Sequence, residues 1–426
     1  MKKIVKMSLV AAVAVAGLTA ANAKPLEEAI KNVDVSGSVV YRYDDALTDP
    51  AAAGAANTHS QTNSYKIGLN LSSKVNDDVK VNTRFLVGSN NLTGTNAGTN
   101  NGGFAALNTG TAGDQNVDVS LSQVYFGYTG LANTTVNVGK QGLTTPWTVA
   151  TDINGNEQTG TGVLALSTVG PVTLGAGYFN QTNLDTSGNL AATLTTINGN
   201  LTSGSNDIVV LAALGNVGPV ALDAWYLDMA DLFDTYTLGA KAGFDVSGVA
   251  LGANVRYTAL SFDRNGNTAV AIDEENDKHD MIQFALTAKA GIVDAKYAFA
   301  KTDKEGGVVA LDNDATGSIQ GWSVNPLGKA DASFHQAVLG VQALDSLHLS
   351  ANYVTVKYNG DNSLLGNAGA DTVKNEQETE VYAQAVYKMS SNLTSYVRFG
   401  TEERKVDGAK LNELDYKGRL QVAYTF

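Results

Sequence analysis

The chain has 426 residues, with 29 basic and 42 acidic side chains and no cysteine. The acidic balance excludes nucleic acid as a partner, because phosphate neutralisation needs clustered Lys and Arg. The missing thiols exclude disulfide frameworks, thiol nucleophiles and Cys-ligated metals.

The first residues read as an address. Lys2, Lys3 and Lys6 precede an apolar run from Met7 to Ala16, and Ala21-Asn22-Ala23 has the small-x-small form of a signal-peptidase site. The run is about ten residues, half of the roughly 20 that span a bilayer as a helix, so residues 1–23 are predicted to be a signal peptide. Its removal takes away three lysines and moves the formal charge from -13 to -16. Residues 24–32 are predicted to be a short periplasmic segment, in which Pro25 ahead of Leu26 to Ile30 suits a helical turn or two. Beyond the leader no run approaches the roughly 18 apolar residues that mark a membrane helix.

From residue 33 apolar side chains alternate with polar ones. Val33, Val35, Val39, Tyr41 and Tyr43 are set against Asp34, Ser36, Ser38 and Arg42, the period-two pattern of a strand with one greasy and one wet face. Segments of this kind cover 33–44, 64–75, 78–89, 117–129, 134–140, 162–168, 172–181, 206–216, 219–228, 234–246, 249–263, 279–290, 293–301, 333–344, 347–358, 377–389, 392–402 and 412–426. They amount to eighteen strands, with sixteen left open by the weaker segments.

The connections alternate in length. Asn76-Asp77, Gly170-Pro171, Gly218, Ser247-Gly248, Gly291-Ile292, Asp345-Ser346 and Ser390-Ser391 mark tight turns. Between them, residues 45–63, 90–116, 141–161, 182–205, 264–278, 302–332 and 359–376 are long, rich in Gly, Asn, Thr, Asp and Ala, and predicted to be exposed irregular chain. A soluble sandwich or solenoid does not require this alternation. An all-β, antiparallel, up-and-down transmembrane barrel over 33–426 does, with short periplasmic turns and long extracellular loops. In hydrocarbon every backbone donor and acceptor must be paired, and a closed sheet has no unpaired edge. The final strand ends on Tyr424 and Phe426 on the predicted lipid face, similar to the assembly signal read by the barrel-assembly machinery of the outer membrane.

Two stretches carry a closer resemblance. KPLEEAIKNVDVSGSVVYRYDD (24–45), directly after the cleavage site, resembles the mature start of the Campylobacter-type major outer membrane porins. SQVYFGYTG (122–130), VGKQ (138–141), Trp147 and TDINGNEQTGTGV (151–163) resemble the same family around its fourth and fifth strands and the loop that follows. The resemblance implies an eighteen-stranded homotrimeric porin embedded among outer-membrane lipids. It implies passive diffusion of small hydrophilic solutes and ions, a mild cation preference, and a loop over 141–162 folded inward as the constriction. Calcium is also implied for some members; Asp152 falls in the matching motif and is the one candidate ligand, since a calcium site needs 6 to 8 oxygens.

Parity predicts which charges line the lumen: Arg42, Lys66, Arg84, Arg256, Arg398 and Arg419 among the cations, with Lys140 beside the constriction loop. A basic ladder on strands one to three facing Asp152 and Glu157 is the sharper expectation, and would set a transverse field across the narrowing. The blander one is a wet lumen with charges of both signs. No enzyme is expected: His59, His279, His335 and His348 are the only histidines, with no Gly-x-Ser-x-Gly elbow or His-Glu-x-x-His helix near them. A surface adhesin or structural protein, with an incidental pore, is the alternative reading of the long loops.

Overall fold

A computed structural model describes residues 33–48, 57–88, 103–107, 118–184, 206–263, 277–360, 375–411 and 415–426. The expected signal peptide, the 24–32 segment and parts of several long connections lie outside the described residues. Eighteen long strands are numbered here β1 (Val33–Thr48), β2 (Thr58–Lys74), β3 (Val79–Gly88), β4 (Asp118–Leu131), β5 (Thr134–Gly142), β6 (Thr159–Val169), β7 (Val172–Thr182), β8 (Ile208–Val217) and β9 (Val220–Met229). They continue as β10 (Phe233–Val246), β11 (Val249–Phe262), β12 (Lys278–Ala290), β13 (Val293–Thr302), β14 (Ala330–Leu344), β15 (Leu347–Asn359), β16 (Asn375–Lys388), β17 (Leu393–Val406) and β18 (Asp415–Thr425). Two-residue bridges at Ala105–Ala106 and Ala409–Lys410 pair with β2 and β17.

Each strand pairs antiparallel with its chain neighbour, and β1 closes on β18 from Ser38↔Thr425 to Leu47↔Tyr416. The count of eighteen and the closed up-and-down order agree with the sequence expectation. Backbone bonds also join Gly37 and Phe426 in both directions, extending the seam to the last residue. Glycine is needed there, because a Cβ at position 37 would overlap the Phe426 ring and the Gly68 carbonyl.

The tight turns marked in the sequence all lie at one end. Ser247 (φ 54°) and Gly248 (φ 82°) have the two positive φ values of a two-residue hairpin turn, which matches the right-handed twist of the flanking strands. One connection at the other end is also short: Ala230–Leu232, turned by Asp231 at φ 62°. Among the described residues no helix is long and apolar enough to cross a membrane. The outward face instead carries an exposed apolar belt that includes Val35, Leu121, Phe126, Leu174, Leu238, Ile282, Leu339 and Phe399, as a sheet bathed in lipid requires.

The largest departure from expectation lies inside the barrel. The connection between β13 and β14 was expected to be exposed because of its Gly, Asp and Ser content, yet Val308, Val309, Ala310, Leu311, Val324 and Leu327 are all 0–1% exposed. This loop turns inward and packs with Leu143 and Trp147 of the loop after β5. Together they cover an apolar stretch of the inner wall formed by Phe179, Ile208, Val210, Leu227, Met229, Phe233, Leu260, Phe262, Phe334, Val354 and Val356. The two loops are tied directly: Leu311 N–H donates to Trp147 O (2.9 Å) and Gly317 N–H to Pro146 O (2.6 Å).

Candidate functional site

The loop after β5 leaves the wall at Leu143 and returns at Thr159. Its returning arm is held by Glu157, which is fully buried. Glu157 accepts bonds from Lys66 Nζ (2.8 Å), from Arg84 Nη2 (2.7 Å) and Nε (2.9 Å), and from Ser122 Oγ (2.7 Å). Lys66 Nζ also donates to Gly155 O, and Gly155 needs its φ of 80° to turn there. Burial alone would raise the Glu157 carboxyl, but the bonds and charges of Arg84 and Lys66 outweigh it and hold it below the usual carboxylate range.

Ser122 reaches this cluster because of a bulge. The pairing of β3 with β4 jumps from Arg84↔Gln123 to Phe85↔Leu121, which leaves Ser122 as the extra residue; a bulge re-aims a side chain in this way. Lys66, Arg84 and Glu157 are therefore brought together as expected, but in a different role. Two cations enclose the one carboxylate, so the cluster is net positive and Glu157 supplies no negative charge of its own to the lumen. Lys140 is half-buried on β5 and feels the Glu157 charge without an ion pair to it.

Arg42 is 3% exposed and grips the tip of the same loop. It donates to Gln421 Oε1 (2.9 and 2.7 Å), to Asn154 Oδ1 (3.5 Å) and to Ile153 O, and its guanidinium lies 4.0 Å from the centre of the Phe104 ring. Arg419 pairs with Asp44 (2.5 Å). Arg398, directly opposite Arg419 across β17–β18, donates to Gln384 (2.7 Å) and stands over Trp322, Tyr382 and Tyr396 at 5.0 to 5.5 Å. Arg256 stands apart, paired with Asp223 (2.8 Å) on the β9–β11 wall. Tyr424 and Phe426 stack at the closing seam, centroids 5.8 Å apart.

The second loop is fixed to the same polar stretch of wall, beyond the β1–β18 seam, by a carboxylate on β16. Glu380 on β16, 0% exposed, accepts from Trp322 N–H (2.5 Å), Ser323 N–H (3.1 Å) and Lys417 Nζ (3.0 Å). Lys417 bonds Glu402 as well (2.7 Å). Gly321 has no room for a side chain, since a Cβ there would overlap Glu380 Oε1.

Between the loops and the β18 wall lies a polar cavity of about 310 Å³, lined by Ile153, Asn154, Asp314, Gln320, Trp322, Ser323, Lys417 and Arg419. It has acidic loop groups on one side and basic barrel groups on the other. Asp152 closes the acidic side: with Asp312 and Asp314 it forms a set whose ligand oxygens all lie within 4.8 Å of one another. Asp152 accepts from Asn156 N–H and Nδ2 (both 2.7 Å), Asp312 from Gln158 Nε2 (2.7 Å) and Asp314 from Ile153 N–H (2.7 Å). Burial, with the neighbouring charges of Asp152 and Asp314 adding, pushes Asp312 up to about 7. Asp312 and Asp314 were missed from sequence because their loop was read as exposed; the buried run Val308 to Leu311 just ahead of them was the available signal.

A family profile described as Campylobacter major outer membrane protein matches residues 1–426. Among curated proteins none matches the chain in sequence. Three solved structures share the fold across 92% of the chain. OpdL of Pseudomonas aeruginosa is 16% identical, with a TM-score of 0.67 and 99% of its own chain covered. A BenF-like porin of Pseudomonas fluorescens is 14% identical, TM-score 0.66, 98% covered. OccK2 (OpdF) of Pseudomonas aeruginosa, solved in complex with glucuronate, is 14% identical, TM-score 0.65, 98% covered.

Proposed function

Because the chain belongs to the Campylobacter major outer membrane protein family, and is thus an integral outer-membrane β-barrel of porin fold, we propose that it is a diffusion channel for small hydrophilic solutes and ions. Family and fold point to a channel rather than an enzyme. The observation that carries the reading is the polar cavity of about 310 Å³ left where two inward loops approach the β18 wall. Loops that narrow a wide barrel to a charged aperture select solutes by size and field.

The aperture is mildly cation-preferring. Around it Asp44, Asp152, Asp314, Glu380 and Glu402, with Asp312 partly ionised near neutral pH, outnumber Arg42, Arg398, Lys417 and Arg419. The transverse field runs from Asp314, with Asp152 beside it, to Lys417 and Arg419; of the two carboxylates expected from sequence to set it, Asp152 and Glu157, the second is paired with Lys66 and Arg84 instead.

Calcium fits the acidic side. Asp152, Asp312 and Asp314 supply clustered hard oxygens, the donor type calcium takes. Asn156 Oδ1 next to them is buried without a hydrogen-bond partner. Asp152, Asp312 and Asp314 would hold the ion, which would relieve their mutual repulsion and tie the two loops together. The channel assembles as a homotrimer, and Tyr424 and Phe426 serve the barrel-assembly machinery.

The test is single-channel conductance of the folded protein in a planar bilayer, with reversal potential across a salt gradient, before and after chelation of calcium. Openings in threes with mild cation preference, stronger after chelation, are expected. Folded protein without conductance overturns the channel and favours the surface-adhesin alternative; an unchanged reversal potential after chelation overturns calcium alone.

A further inference from the structure

The outward face near the long-loop end carries a row of side chains that pore function does not use. Lys301 pairs with Ser333, Ser333 with Lys357, Lys357 with Gln377, Gln377 with Lys405, and Lys405 with Lys410. Directly paired residues point to the same side of a sheet, so four lysines lie on one line across β13–β17. That side is the outer one. Along the same strands Tyr297, Leu339, Tyr353, Val381 and Phe399 share its parity and are 41–65% exposed, whereas Ala300, Ala332, Phe334, Val356 and Glu380, of opposite parity, are 0% exposed.

The height of the row fits one environment. Tyr353 and Val381 lie four residues nearer the turns than Lys357 and Gln377, roughly 13 Å along a strand at ~3.3 Å per residue. The row thus stands just beyond the apolar belt, where lipid headgroups meet water on the extracellular side. It borders a groove of about 570 Å³ lined by Lys301, Ser333, Lys357, Gln377 and Lys405. Lys357, at its centre, is exposed and makes no hydrogen bond or ion pair among the described residues. Three acids offset part of the charge: Asp331 holds Lys301, Glu403 holds Lys405 and Lys410, and Glu376, which also lines the groove, holds Arg404. Four lysines and Arg404 against three carboxylates leave the patch basic.

The same height on the other flank is acidic. Asp228 and Asp234 stand directly opposite each other on β9 and β10, and Asp280 on β12 accepts a bond from Tyr257. The lysine row is therefore a one-sided feature in a chain whose overall charge is strongly negative.

We propose that Lys301, Lys357 and Lys405 form a docking row for a phosphate-bearing glycolipid of the outer leaflet, with its acyl chains on the belt below. Phosphate as the recognised group follows from cations spaced two strands apart, about 10 Å, with Ser333 and Gln377 as hydrogen-bond donors between them. A membrane-anchored source follows from the belt directly beneath. Near an anionic surface each Lys contributes about fivefold in affinity; with Asp331 and Glu403 offsetting two of the three, about fivefold is expected for the row.

The experiment embeds the full-length protein in phosphatidylcholine nanodiscs doped with bisphosphorylated lipid A or with its dephosphorylated form, and counts retained lipid by native mass spectrometry. Wild type should retain the bisphosphorylated form about fivefold better. The triple variant Lys301→Gln, Lys357→Gln, Lys405→Gln should lose that preference, and the triple Lys→Arg variant should keep it. Channel conductance should be unchanged in both variants, which separates failure of this site from failure of the pore. Equal retention of both lipids, full retention by the Gln variant, or displacement by free inorganic phosphate overturns the proposal.

Discussion

The two sides of the lumen are built on opposite plans. On the wall of β1–β3 and β16–β18 the inward side chains are Arg42, Lys66, Arg84, Glu380, Arg398, Lys417 and Arg419, each bonded to a partner across the sheet or on a loop. On the wall from β7 to β15 the inward positions nearer the long loops are Phe179, Ile208, Leu227, Phe233, Phe262 and Phe334, sealed under Trp147 and Val308 to Leu311. One side of the barrel is lined by paired charges and the other encloses a protein core. Inside a single barrel, lumen polarity follows what covers the wall rather than the barrel topology.

Four substitutions can break or sharpen this contrast. Glu157→Ala should have the largest effect, since it strands Lys66 and Arg84 as buried cations without their anion. Breaking a buried pair in this way costs about 3–5 kcal/mol, to be read as a fall in the thermal midpoint of the β-sheet circular dichroism. If the midpoint is unchanged, water reaches that cluster and the polar wall is not sealed. Trp147→Ala tests the apolar side at a similar scale. A large-to-small change in a core costs about 3–5 kcal/mol, and the loosened loops should add noise to the open-channel current.

Gly321→Ala should do less to stability, about 1–3 kcal/mol for overpacking. It pushes Glu380 away from Trp322 and Ser323, so the sign of its effect lies in the channel record: more frequent transitions between conductance levels. Asp314→Asn should leave the fold intact and shift the reversal potential toward anions. A unit charge about 8 Å away in water is worth about 0.5 kcal/mol, or about twofold in local cation concentration. With calcium chelated throughout, an unchanged reversal potential would mean that Asp314 does not border the ion path.

Much of this architecture was legible from alternation. The strand count, the turns at Ser247-Gly248 and Gly291, and the inward side of Arg42, Lys66, Arg84, Arg256, Arg398 and Arg419 all follow from a period of two. The role of Glu157 was not legible, because parity assigns a side of a strand and says nothing about what a loop carboxylate meets. The second inward loop was hidden for a related reason. Gly306-Gly307, Asp312 to Asp314 and Gly317-Ser318 have the composition of exposed chain, and only the four-residue run Val308 to Leu311 betrayed a buried face. Strand β8 illustrates the cost of covering the wall: Ile208, Val209, Val210 and Leu211 are apolar on both faces, so the alternation that identifies a strand fades where the lumen becomes a core.

The pair of loops has a mechanical consequence. Both are fastened to the polar wall, one at β2–β3 through Glu157 and the other at β16 through Glu380, they are joined to each other at Trp147–Leu311, Pro146–Gly317 and Gln158–Asp312, and both pack on the apolar wall of β7–β15. They make a cross-brace from one side of the cylinder to the other. A wide tube under lateral pressure flattens by ovalising, and a strut across its bore resists that deformation. The elements that narrow the aperture therefore also stiffen the wall, and a change that widens the passage should leave a softer cylinder in the membrane.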